Sequence, residues 1–107
     1  MKDALDGWKF EDATAVTARL RVIKTPEEVG LIRRAIAITE EALAATFAQL
    51  AVGMSERDTA RLLASEMDRR GAPGEGLVQF GPSSALPHGG PAGATLQRES
   101  VVLIDCG

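Results

Sequence analysis

Two side chains in this sequence combine a reactive type with a setting that lets it act. Asp105 closes the apolar run Val101-Val102-Leu103-Ile104 and is followed by Cys106-Gly107. A carboxylate carried that far into a sheet is costly unless something meets it. It therefore asks for a cation, an arginine or the mouth of a cleft. The same spacing also fits a plainer reading, in which Asp105-Cys106-Gly107 opens a solvated turn.

His88 is the single histidine and stands in Leu86-Pro87-His88-Gly89-Gly90-Pro91. Proline fixes the preceding backbone, and the glycines leave room for a ligand beside the ring. An imidazole so placed can donate to a substrate carbonyl or move a proton near neutral pH. An exposed loop histidine with no role has the same signature. Cys106 points away from Asp105 if the strand continues. No base or cation stands beside it in sequence to activate the thiol, so it reads as a small buried side chain. The glycines at 71, 74 and 76 and at 89, 90 and 93 form no phosphate loop, because none opens a helix after a strand.

The elements that must position these residues are legible from caps and periodicity. Thr25-Pro26-Glu27-Glu28 is a capping box with proline at the first helical position. Val29, Ile32, Ile36, Leu43, Phe47 and Leu50 follow at helical spacing, which predicts a helix from Pro26 to about Leu50. Ser55 caps a second helix with Leu62, Leu63 and Met67 as its apolar stripe, and Gly71 ends it. The short link between the two predicts antiparallel neighbours. Leu77-Val78-Gln79-Phe80 reads as a short strand, and Val101–Ile104 as a strand buried on both faces. Ahead of these, Asp12 can cap a short helix from Ala13 to about Leu20, and residues 5–10 carry a faint strand alternation.

The chain has 107 residues, 45% apolar and 25% charged, which excludes a disordered acidic tail and a collagen-like chain. Its aromatics are Trp8, Phe10, Phe47 and Phe80, so the core must be aliphatic. A net charge of -3 argues against a nucleic-acid partner. A lone cysteine fits a reducing compartment, and the cytoplasm is the expected location. Residues 1–6 carry acids and no continuous apolar run, so neither a signal peptide nor a membrane span is expected.

Taken together, these segments resemble the pita-bread metallopeptidases, in the Xaa-Pro aminopeptidase and prolidase branch more than methionine aminopeptidase. The stretch Leu20-Arg21-Val22-Ile23-Lys24-Thr25-Pro26-Glu27-Glu28, with Leu31-Ile32-Arg33-Arg34-Ala35 after it, looks like that branch's entry to its catalytic domain. Ser84-Ala85-Leu86-Pro87-His88 resembles its substrate-side histidine motif, and Val102–Gly107 the strand bearing its first metal ligand. Two positions depart from the pattern: Glu99-Ser100 where the family usually has Gly-Asp, and Ser83 where it often has Asn.

The resemblance implies an α+β fold, the first half of a pita-bread domain, with two antiparallel helices on a curved, mainly antiparallel sheet. It implies that residues 1–24 link from a preceding amino-terminal domain and that 25–107 are an incomplete catalytic domain. Asp105 becomes a ligand of a two-ion centre, manganese, cobalt or zinc, and His88 the histidine that contacts a proline-containing peptide substrate. The family's other ligands have no counterpart before Gly107, so a truncated chain with one aspartate is expected to bind no ion pair and to be inactive by itself. Self-association or a complementing chain is expected at the strand 101–105. Rival readings are a non-catalytic pita-bread binding module, a metal-free creatinase-like hydrolase, or an unrelated helical-hairpin interaction protein.

Overall fold

A computed structural model describes residues 7–87 and 93–107. Their contacts separate two units, Met1–Leu31 and Ile32–Gly107.

In the first unit, α1 (Thr14–Val22) starts one residue later than read, with Ala13 and not Asp12 as its N-cap residue; the Asp12 carboxylate just ahead accepts the Thr14 N–H at 2.8 Å. The Thr14 hydroxyl, and then that backbone bond, hold the Asp12 carboxyl below its ordinary value. None of the α1 residues is buried. The strand expected over 5–10 is not formed in its described part, residues 7–10. Trp8 and Phe10 are exposed, and alternation without a partner strand carries no stability of its own. The unit also holds the start of α2 (Pro26–Phe47), closed as its sequence dictates. The Thr25 N–H donates to the Glu28 carboxylate at 2.8 Å, and the Glu28 N–H to the Thr25 hydroxyl at 3.2 Å.

The second unit contains the rest of α2, then α3 (Glu56–Arg69), β1 (Gly76–Phe80), a 3-10 turn (Gly81–Ala85) and β2 (Val102–Cys106). Helix α2 stops at Phe47, three residues short of the predicted Leu50, and the chain turns through Gly53 at φ 94°. Ser55 caps α3 by accepting the Asp58 N–H at 3.1 Å. The two helices run antiparallel, with Glu41 facing Arg70 and Gln49 reaching Glu66. Glu66 is buried and accepts from Arg70 at 2.8 Å, Arg69 at 3.1 Å and Gln49 at 3.2 Å. Donation from Arg70 and then Gln49 keeps its carboxyl below the ordinary value despite burial.

Strands β1 and β2 pair antiparallel, with Leu77 opposite Asp105 and Gln79 opposite Leu103. The helices cover one face of this sheet. Ala42, Leu63 and Met67 pack there against Ile104 and Cys106, and Val78, Phe80 and Leu96 form the adjoining cluster. The sheet approaches α3 so closely that a Cβ on Gly76 would lie 2.6 Å from Leu63 Cδ2. The α+β arrangement expected from the sequence is therefore the one found.

Burial of the last strand is not. Val102, Ile104 and Cys106 are half-buried toward the helices, whereas Val101, Leu103 and Asp105 are exposed. A continuous apolar run is buried on both faces only where both faces are covered. Here the helices cover one, and the other is only partly roofed by the 3-10 turn.

Candidate functional site

The exposed face of the sheet carries the side chains that point away from the helices. Gln79 stands at its centre and is buried there. Its amide donates to Ser83 O at 2.7 Å and to Leu86 O at 3.3 Å, which draws the 3-10 turn and the residues after it over the sheet. Between turn and sheet lies a cleft of about 430 Å³, with Leu77, Gln79, Leu103 and Asp105 on the sheet side and Leu86 and Pro87 opposite. A second hollow of about 500 Å³ opens past the strand ends beside Glu75, Leu77 and Asp105. Asp105 borders both.

Asp105 thus belongs to β2 and not to a turn, since its backbone is in register with Leu77. Its carboxylate is exposed and makes no hydrogen bond or ion pair among the described residues. It stands as an open oxygen donor at the rim of an apolar cleft. His88 lies outside the described residues, but Leu86 and Pro87, which lead into it, share the cleft with Asp105. Cys106 faces the other way and packs against the Ala42–Leu63–Met67 cluster, half-buried. Burial, and then the nearby Asp105 charge, pushes its thiol upward, away from nucleophile chemistry.

A divalent ion would find in Asp105 a suitable hard ligand. Among the described residues no three His, Cys, Asp or Glu side chains converge as a metal site. Among the described residues the donor set fits one ligand of a metal centre.

Behind the cleft lies a carboxylate that sequence reading missed. Glu56 is 6% exposed, and its Oε1 accepts the Phe80 N–H at 2.8 Å. The Ser83 hydroxyl lies 2.7 Å from the same oxygen and 2.9 Å from Phe80 O. It has one proton to give, and the charged oxygen is the stronger acceptor. Glu56 Oε2 faces the Gly93 N–H at 3.4 Å. Burial pushes this carboxyl up, but the Ser83, Phe80 and Gly93 donors outweigh it and hold it below its ordinary value. In sequence Glu56 looks like any acid in a helical first turn, and its partners lie 24 to 37 residues away. Gln79 was equally hidden, because its partners are loop carbonyls.

The sequence profile of metallopeptidase family M24 matches residues 30–107. The chain is 32% identical over 102 residues to an Xaa-Pro dipeptidase of Pyrococcus furiosus, covering 92% of this chain and 29% of that one. Among solved structures, an X-Pro aminopeptidase from Thermotoga maritima superimposes with TM-score 0.80 at 34% identity over 87% of this chain. A prolidase from Pyrococcus furiosus does so with TM-score 0.79 at 32% identity over 92% of it. These matches take in 27% and 32% of the two solved chains. The chain spans less than a third of the length of the relatives it matches.

Proposed function

This chain belongs to metallopeptidase family M24, and from that premise we propose that it supplies one part of a dinuclear-metal hydrolase of Xaa-Pro peptide bonds. In this reading residues 25–107 are part of the catalytic domain, and residues 1–24 link it to a preceding amino-terminal domain. Asp105 is one carboxylate ligand of the two-ion centre, for which manganese, cobalt or zinc is the candidate metal. When bound, such ions acidify water and polarise a scissile carbonyl. His88 meets the substrate and steadies the charge that develops on its carbonyl oxygen. Leu77, Leu103, Leu86 and Pro87 offer an apolar wall that suits a proline ring and keeps water from it. The cytoplasm is the proposed compartment.

One observation supports this reading above the others: Asp105 and the Leu86-Pro87 pair border the same cleft, although Pro87 and Asp105 are 18 positions apart in sequence. The test is hydrolysis of Xaa-Pro dipeptides, against matched Xaa-Ala controls, by the full-length protein loaded with manganese. Turnover of the proline substrates is expected, with none from the 107-residue chain by itself. No turnover by the full-length protein would reject the peptidase assignment. Creatine hydrolysis would then separate a metal-free creatinase-like hydrolase from a non-catalytic binding module.

A further inference from the structure

The chain leaves β1 at Phe80, runs out through the 3-10 turn, and comes back beside the start of α3. One buried side chain touches it on both sides of that excursion. At the departure, Glu56 Oε1 accepts from Phe80 N–H and Ser83 Oγ–H at 2.8 and 2.7 Å. At the return, Oε2 faces the Gly93 N–H at 3.4 Å, and the Glu56 N–H donates to Ala94 O at 3.1 Å. Neighbouring backbone repeats the fastening. Gly53 N–H donates to Leu96 O and Leu96 N–H to Met54 O, each at 2.8 Å, around an antiparallel bridge between Ser55 and Thr95.

The burial of Glu56 is not explained by helix capping, which Ser55 and Asp58 already perform. A first-turn glutamate gains from the helix dipole while facing water, and burying it costs desolvation. What this carboxylate gains in return is the two flanks of residues 88–92.

We propose that Glu56 is a positioning residue, holding both flanks of the segment that bears His88 so that Leu86 and Pro87 stay set against Asp105 across the cleft. This rests on the roles given above to His88 and Asp105. Its signature is separable from turnover, because His88 is the only histidine and its imidazole resonance is unambiguous.

The experiment compares the full chain with Glu56→Ala, Glu56→Gln and Ser83→Ala by NMR. It reads amide exchange at Phe80 and Gly93, the His88 imidazole resonance, and the methyl signals of Leu63 and Met67 as reporters of the core. Glu56→Ala should speed exchange at buried Phe80 by about tenfold, the scale of one lost buried hydrogen bond, and at exposed Gly93, with its longer 3.4 Å contact, by less. It should also move the His88 resonance while the core methyl signals stay in place. Glu56→Gln keeps an acceptor for Phe80 and Ser83 but turns an NH₂ toward the Gly93 N–H, so it should restore protection at Phe80 alone. If Glu56→Ala does not fold, Ser83→Ala removes one of the two upstream donors, leaving the Phe80 N–H in place, and must still move the His88 signal. An unmoved His88 resonance in the folded variants overturns the proposal, as does a wild-type resonance already at the free-histidine position. Failure to hydrolyse an Xaa-Pro peptide would reject the proposed function instead, and leave these spectra to decide the role of Glu56.

Discussion

Phe80 and Glu56 stand 24 residues apart in sequence, yet the Phe80 N–H donates to the Glu56 carboxylate at 2.8 Å. That bond ties the strand forming the cleft floor to the helix behind it. A neutral carboxyl would accept it more weakly, so the tie depends on charge.

The dependence on pH has a definite sign. Glu56 and Glu66 both have carboxyls held below their ordinary value of 4.5. A group depressed by folding contributes its full stabilisation above the unfolded value and loses it as pH falls through the folded one. Urea midpoints should be level from neutral down to about pH 5 and then fall. Glu56→Gln should remove part of that fall. A midpoint that rises below pH 4.5 would contradict the hydrogen bonding described for both groups.

Asp105 offers the opposite test. Exposed and without a partner among the described residues, its carboxylate supports nothing in the fold. Asp105→Asn should leave stability within about 0.5 kcal/mol of wild type in urea unfolding. In the manganese-loaded full-length protein it should abolish Xaa-Pro hydrolysis. Undiminished turnover would remove Asp105 from the proposed metal centre.

Two glycines should respond in opposite directions to the same substitution. In Gly76→Ala the new methyl lies 2.6 Å from Leu63 Cδ2 and 3.3 Å from Cys106 Cβ, and Leu63 is fully buried. Overpacking of this kind costs about 1–3 kcal/mol. Gly30 sits inside α2 with nothing within 4 Å of a Cβ, so Gly30→Ala should stabilise by about 0.5–1 kcal/mol through helix propensity. Paired thermal melts check both, and equal shifts would defeat the argument.

The open sheet face predicts association. Val101, Leu103 and Leu77 are 61%, 36% and 40% exposed on the side away from the helices. A two-stranded sheet also offers unpaired backbone at its edges. Sedimentation of the chain should show a concentration-dependent increase in mass, reduced by Leu103→Lys. A strictly monomeric species at high concentration would exclude contact through this face.

What the sequence disclosed divides along the range of the forces involved. The Thr25–Glu28 box and the Ser55 cap are local chemistry, complete within four residues, and the structure forms both as read. Helix α3 and β1 likewise follow from nearby patterning. Burial of β2 was misjudged because it depends on what lies over each face, which the run Val101–Ile104 does not specify. Whether Asp105 belongs to a strand or a turn could be decided only by its register with Leu77, contributed by another strand. Glu56 and Gln79 escaped notice for the same reason. Each is defined by hydrogen bonds to backbone of the excursion after β1, and side-chain type alone does not announce such partners.

The bridge between Ser55 and Thr95 has an entropic consequence. With the return strand pinned beside α3 and the departure pinned at Phe80, the stretch between them is a closed ring whose ends no longer need to find each other. Closure entropy grows only logarithmically with ring size, adding about 0.6 kcal/mol for each doubling. Insertions between the two pinned points therefore cost the fold little, leaving the helices and sheet as they are.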